Sequence, residues 1–532
     1  MDRCRKTKYD LTLNDIGYES AAARRRMRGM NPSWTNISDP IFHWAAERPD
    51  QPAFHEGHRT LTYSELAPLV GKAAVHLAGL GIGAGDRVAI SLTNSIDHFI
   101  LTLGLLRLGA TVMEMLYDAN GPAAELLANF SIRTIFLEPA VTPPAGVAAI
   151  RLDGSWRSSI SRAQGDRRHP GNGEDIFTIS LTSGTTGLPK GCLNPHRSYF
   201  HRMATSIQPF VESGVFSAEQ PPNLLLTASI GLSTFFKRMV GHLFLGGAVV
   251  ILPEFRNAID LVKAIGSWDD ALCYLPAAAC RFLIACAPAD GFLFPNIRAL
   301  IGGGGFLYPQ EKLALLSRVT PNFYHSYGAS GFGTMAVLRP DEMCERPASV
   351  GRPPSAVEVQ VVGADGQPLP AGRVGRLRSR GTEGMGFGGD ERFRDGWHYP
   401  GDLGHIDAAG YVFVKGRDAE VIERDGQELF AADIESVIAL HPAVAEVAVV
   451  GIPRPFSGEE LVALVVARGE GQHESLARHC RASLPAPQVP DRVFYAAFLP
   501  KTVAGKLDRN RVKDLVMNEI ERQARIQRDV RA

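Results

Sequence analysis

The chain has 532 residues, 45% of them hydrophobic and 21% charged, an ordinary globular composition with length enough for more than one domain. Lys plus Arg and Asp plus Glu number 56 each, and this balance argues against nucleic acid or an anionic membrane as the main partner. The 7 cysteines are scattered and form no CxxC pair, which excludes a disulfide framework and a cysteine zinc site and fits reduced thiols in the cytoplasm.

The first thirty residues are locally basic at Arg24, Arg25, Arg26 and Arg28, which reads as a solvated helix face. No apolar run follows them, so no secretory signal is expected. Further on, "RVAISL" (87–92) and "ATVMEM" (110–115) read as buried strands, with "SIDHFILTLGLLRLG" as the helix between them. A strand from Ile176 to Leu181 then breaks into "LTSGTTGLPKG". The longest apolar run, "LFLGGAVVIL" (243–252), is too short to span a bilayer and reads as a helix end, a glycine turn and a strand. "ALIGGGGFL" (299–307) is a strand running into four glycines. From Val350 to Val414 short strands alternate with Gly/Pro turns, an all-β section. After "KGRDAEVIERDG" (415–426), a helix, two strands and a second helix follow on a smaller scale. This order predicts an α/β protein: a large N-terminal domain of layered α/β subdomains with a β-rich subdomain, then a small, mobile α+β C-terminal domain. The boundaries are set at 1–416, a hinge at 417–420, and 421–532.

The glycine stretch cannot pack a core or hold a helix. Clustered glycines let backbone N–H groups converge, and hydroxyls add donors, so the loop can cradle phosphate oxygens, with Lys190 adding a point charge. It is not a P-loop, because Pro189 precedes Lys190 and Gly191 stands where Ser or Thr belongs.

Thr182, Ser183, Gly184, Thr185, Thr186, Gly187, Lys190 and Gly191 resemble the signature loop of the adenylate-forming superfamily, which includes acyl- and aryl-CoA ligases, peptide-synthetase adenylation domains and beetle luciferases. "YGAS" (Tyr327 to Ser330), "GWHYPGDLG" (396–404), "GRDAEVIERDGQELFAADIE" (416–435), "HPAVAEVAVVGIP" and "LPKTVAGKLDR" (499–509) resemble its other motifs, in family order. The resemblance implies ATP-dependent adenylation of a carboxylic acid, with Mg²⁺, followed by transfer to CoA. A carrier protein or an amine is the alternative acceptor, and a nucleotide-binding pseudo-enzyme is a third reading. It implies that the loop holds the β- and γ-phosphates and that Ser330 lies in the nucleotide site. Asp402 then accepts ribose hydroxyls, and Arg417 reaches ribose or phosphate. Tyr327 lies near the adenine or the acid. Lys506, in the mobile domain, bridges the acid carboxylate and the α-phosphate, cancelling repulsion between two anions. After adenylation that domain swings, bringing the segment around Gly426 to the acyl-AMP. A homodimer is compatible with this reading.

Four departures stand out. Gly331 replaces the glutamate that holds Mg²⁺ in the family. Ala419 takes the pivot position usually filled by Asp or Lys, and Glu423 replaces a lysine. Ala228 or Ser229 stands at the gate of the acid pocket. With Gly303, Gly304 and Gly331, these small residues suggest a roomy pocket for a bulky, aromatic or medium- to long-chain acid. No Asp is present to pair a substrate amine, which disfavours an amino acid.

Overall fold

A computed structural model describes residues 34–117, 123–182, 190–217, 219–255, 257–329, 332–381, 392–454, 458–469, 473–502 and 505–531, without the side chains of residues 182, 190, 201, 204, 205, 473 and 527–531. Two large sheets build the N-terminal part. The first has six strands in the order Ala148–Arg151, Thr134–Leu137, Arg87–Ser91, Thr111–Glu114, Ile176–Thr182, Lys190–Pro195. All its pairs are parallel except the last. Parallel strands need crossover helices, and the helix Ile96–Leu108 is one. The Ser95 side chain caps its start by accepting from His98 N, and Gly109, at φ 84°, ends it in the left-handed region. The helix is buried along nearly its whole length because the rest of the domain covers its outer side.

The second sheet has eight strands in the order Gly333–Leu338, Phe323–Ala329, Ala299–Gly303, Ala271–Pro276, Asn223–Leu226, Val249–Ile251, Pro52–Glu56, Arg59–Thr62. Its inner strands are parallel and rich in Leu, Ile, Val and Ala, as strands buried on both faces must be. The parallel strands therefore end on one edge. That edge carries Ala228 and Ser229 after Leu226, Gly303 and Gly304 on the next strand but one, and Tyr327 beyond. In open parallel sheets, ligands bind outside these carboxyl ends. The two sheets are joined there by Asn94, which donates to Ala228 O at 2.9 Å and accepts from Ile230 N at 3.1 Å.

An antiparallel β-rich unit follows, from Val357 to Arg417. The C-terminal part holds a sheet of Val444–Pro453, Glu459–Ala467 and Arg492–Tyr495, flanked by the helices Ala431–Ile438 and His473–Ser483. The helix Pro309–Ala314 sits at the meeting of the two parts. Its Lys312 is fully buried and donates to Ser349 O at 2.7 Å, tying the helix to the turn beside the β-rich unit.

Burial pushes the Lys312 ammonium down to about 7. The unfolded chain keeps the ordinary value and so holds this proton more tightly above pH 7. Stability must then rise with pH between the two values and show no contribution from this group below the lower one. The unfolding free energy of the wild type relative to Lys312→Met should rise by about 2–3 kcal/mol from pH 7 to pH 9. Urea titrations at the two pH values check it, and a constant difference would contradict the assignment.

Candidate active site

Asp402 is the centre of the site. It opens the strand Asp402–Ile406, directly after Gly401 at φ 81°, and its antiparallel partner in register is Arg417. The pairing explains why two residues far apart in sequence meet: they face each other across one two-stranded ribbon. Arg417 Nε lies 2.9 Å from Asp402 Oδ1, and Arg417 Nη1 donates to Pro400 O at 3.1 Å. On the other side the Tyr327 hydroxyl donates to Asp402 Oδ2.

Lys506, from the C-terminal part, lies near enough for its charge to act on the same carboxylate. It sits in a tight turn in which Thr502 N donates to Lys506 O at 2.7 Å and Gly505 N donates to Thr502 O at 2.8 Å. Gly505, at φ 74°, allows the turn. A Cβ placed on Gly505 would lie 4.0 Å from Ala278 Cβ, so the turn rests on the first turn of the helix Ala277–Cys286 in the N-terminal part.

The electrostatics follow from burial. The Asp402 side chain is 12% exposed, and burial raises its pKa against the pull of Arg417, the Tyr327 hydroxyl and Lys506. Burial and the Asp402 charge together push the Tyr327 phenol well above its ordinary range, so it stays a donor. Burial lowers the Lys506 pKa, Arg417 lowers it further, and Asp402 opposes both. The site thus holds one carboxylate between two cations and a phenol. Phosphate oxygens entering here would meet both cations, while Asp402 remains an acceptor for neutral hydroxyls.

Four expected residues, Tyr327, Asp402, Arg417 and Lys506, are brought together. The backbone pairs Thr182 with Lys190 in register, so the loop between them connects two adjacent antiparallel strands. Ser183, Gly184, Thr185, Thr186 and Gly187 lie outside the described residues, as do Ser330 and Gly331. Gly191, counted with the loop, is glycine for packing: a Cβ there would meet Phe130 Cζ at 2.3 Å. Gly303 likewise is not small to leave room. Its Cβ would lie 2.6 Å from Ser326 O and 2.8 Å from the Tyr274 hydroxyl.

Sequence reasoning missed the contacts that brace the C-terminal part and those that dock it. Arg509 donates to Glu435 through Nη1 at 2.6 Å and Nη2 at 3.0 Å, and to Glu420 through Nε at 3.0 Å. Tyr308 OH donates to Glu435 at 3.4 Å, Gln310 Nε2 to Ser436 O at 3.3 Å, and Lys415 Nζ to Asp433 at 2.9 Å. Glu435 and Arg509 both lay within the motifs read from the sequence, but a motif gives no partner. Among the described residues no group of three or more His, Cys, Asp or Glu is placed to hold a metal ion, and no helix is long and apolar enough to cross a membrane.

Two family models match the chain: AMP-binding enzyme over residues 41–386, and AMP-binding enzyme C-terminal domain over residues 433–506. A Bacillus subtilis protein named as an uncharacterised acyl–CoA ligase is 27% identical over 490 residues, covering 88% of this chain and 96% of its own. A fatty acid–acyl-carrier-protein ligase of Streptomyces coeruleorubidus is 28% identical over 519 residues, covering 90% of this chain and 96% of its own. Among solved structures, ATP-bound MatB from Rhodopseudomonas palustris shares the fold with a TM-score of 0.78 at 22% identity, over 90% of this chain and 98% of its own.

Removing the Tyr327 hydroxyl leaves the buried Asp402 one donor short. Tyr327→Phe should therefore cost about 1–3 kcal/mol of stability, the range for a hydrogen bond to a charged group. Urea unfolding of the variant against wild type checks this, and a change within error would contradict the bond.

Proposed function

The chain belongs to the AMP-binding enzyme family, and on that premise we propose that it is an AMP-forming acid–CoA ligase that adenylates a carboxylic acid with ATP and passes the acyl group to CoA. The observation that carries this reading is the convergence of Asp402 and Arg417 of the β-rich unit with Lys506 of the C-terminal part.

Asp402 accepts the ribose hydroxyls, and Arg417 lies beside it to meet the ribose or the phosphates. The acid lies at the carboxyl edge of the eight-stranded sheet, near Ala228, Ser229, Gly303, Gly304 and the turn of Ser330 and Gly331. Its carboxylate attacks the α-phosphorus, forming the acyl–phosphate bond as the bond to pyrophosphate breaks. Both reactants are anions, so the first need is to cancel their repulsion. Lys506 does so by standing between them, and its reduced pKa still leaves it a donor at neutral pH when two anions flank it. Thr182 to Gly187 and Lys190 hold the β- and γ-phosphates and release them as pyrophosphate. Mg²⁺, when bound, neutralises phosphate charge.

The second half-reaction needs Lys506 withdrawn. The proposed boundaries place the hinge at 417–420 between the domains 1–416 and 421–532. Asp418 pairs with Arg376 of the β-rich unit at 2.9 Å, and Glu420 pairs with Arg509 at 3.0 Å. Ala419 thus lies between one residue held by each side, which supports it as the pivot. The swing brings the segment around Gly426 to the acyl-AMP for attack by the CoA thiol. A cytoplasmic setting supplies ATP and CoA. The Streptomyces relative transfers to a carrier protein, so the acceptor is the point to test.

The assay is acid-dependent pyrophosphate release over a panel of bulky, aromatic and medium- to long-chain acids, with and without CoA. Thioester formation with CoA is expected; pyrophosphate exchange with no CoA-dependent product would point to the carrier or amine acceptor. Lys506→Ala should cut adenylation by on the order of 10²-fold or more, the scale of one preorganised charge, and slow transfer from supplied acyl-AMP far less. Equal losses in the two half-reactions would overturn the role of Lys506.

A further inference from the structure

The helix Ser233–Phe244 carries two adjacent cations, Lys237 and Arg238, that no motif accounts for. Both line a cavity between this helix, the helix His196–Glu212 and the strands Asn223–Leu226 and Ala271–Pro276. Its empty volume is about 360 Å³, part of it open to solvent. Ser206 and His242 are its other polar residues, and apolar side chains such as Phe216 and Leu224 form much of the wall. No Asp or Glu lines it. Among the described residues neither Lys237 nor Arg238 meets a carboxylate, and Arg238 Nε and Ser206 Oγ are buried without a hydrogen-bond partner. Arg202 adds a third positive charge close to Lys237.

Such an arrangement is costly as it stands. Both cations are only partly exposed, and cations withdrawn from water are normally paired, because desolvation disfavours the charged form. Burial and the two arginines hold the Lys237 ammonium well below its ordinary pKa. An anion entering the cavity would oppose this, favouring the charged form of Lys237 and meeting Arg238 and Ser206.

The cavity also backs onto the acid pocket. The Arg238 guanidinium lies 4.7 Å over the Tyr274 ring, and the Tyr274 hydroxyl lies 2.8 Å and 3.4 Å from where Cβ atoms on Gly303 and Gly304 would stand. Ser206 Oγ lies 3.5 Å from the Cβ position of Gly333, two residues after Gly331 in sequence. Tyr274 thus reaches from the cations to the sheet edge where the acid reacts.

We propose that Lys237 and Arg238 form a subsite for a second carboxylate on the acid substrate, so that the preferred acid is a dicarboxylate with an apolar spacer. This rests on the reading of the chain as an acid-activating ligase. The reacting carboxylate meets Lys506 and ATP, and the far one enters the cavity. The spacer crosses the apolar region between them.

The test uses matched acids on the full-length enzyme: benzoate and terephthalate, hexanoate and adipate, phenylacetate and 1,4-phenylenediacetate. Affinity is measured by calorimetry with a non-cleavable ATP analogue present, and pyrophosphate release is read in parallel with ATP. In at least one pair the diacid should bind about tenfold or more tightly than its partner, and Lys237→Met and Arg238→Met should each lower that ratio by about tenfold. Met fills similar volume without a buried charge, so the melting temperature of each variant without ligand should hold or rise. Monoacids binding as well as diacids in every pair, in the wild type alone, would overturn the subsite, as would a diacid preference that survives both substitutions. Pyrophosphate release with monoacids only would overturn the subsite and leave the ligase reading intact. Diacid binding that depends on Lys237, with no pyrophosphate release from any acid, would do the reverse.

Discussion

A single buried carboxylate, Asp402, holds the working parts of this molecule together. Tyr327 comes to it from the eight-stranded sheet, Arg417 from the end of the β-rich unit, and Lys506 from the C-terminal part. A carboxylate this buried needs donors and opposite charge, or its pKa climbs until it neutralises. Here two donors and a further positive charge arrive from three segments, so one buried side chain favours bringing three parts of the chain to one point. In the proposed function the same point takes the nucleotide, Asp402 exchanging the phenol for ribose hydroxyls while the two cations turn to phosphate.

The docking of the C-terminal part has a strong side and a weak side. Arg509 and Glu435 are largely buried, at 16% and 4% side-chain exposure, and Glu435 also accepts from Val449 N at 2.8 Å. That network lies mostly within the C-terminal part and keeps it rigid. The ties to the N-terminal part are fewer and weaker. The Lys415–Asp433 pair is partly solvated and worth about 0–1 kcal/mol, and the Tyr308 hydroxyl meets Glu435 only at 3.4 Å. A unit rigid within itself and lightly held across a short connector can rotate as one body. The alanine at position 419 brings no polar contact of its own, and its neighbours Asp418 and Glu420 bring one to each side.

Much of this was legible in the sequence because it rests on local rules. The strands 87–91 and 111–114 and the helix between them follow from apolar runs, an N-capping Ser95 and the Gly109 stop. The short strands after Val350 follow from alternation between turns, and the helix Ala431–Ile438 from its apolar face. Asp402, Arg417 and Lys506 were legible through motif context, whereas their meeting was not. It depends on a hairpin register and on the docking of a distant domain. The strand Lys190–Pro195 escaped because its Gly and Pro content reads as loop, yet Gly191 is required there by Phe130. The Lys237–Arg238 pair escaped for a similar reason: two cations on a helix read as a solvated face, and only the tertiary packing buries them.

The account stands or falls on two poses of the C-terminal part, with the pose seen here serving adenylation. The Cβ of Ala278 lies 4.0 Å from the Cβ position on Gly505, within the range a disulfide spans. The double variant Ala278→Cys with Gly505→Cys should therefore oxidise and hold the Lys506 turn on the N-terminal part. The decisive measurement is the rate of each half-reaction in this variant, oxidised and then reduced. The oxidised enzyme should keep acid-dependent pyrophosphate release in a single turnover and lose transfer to CoA, and reduction should restore transfer. Transfer that proceeds unimpaired with the disulfide closed would contradict the account.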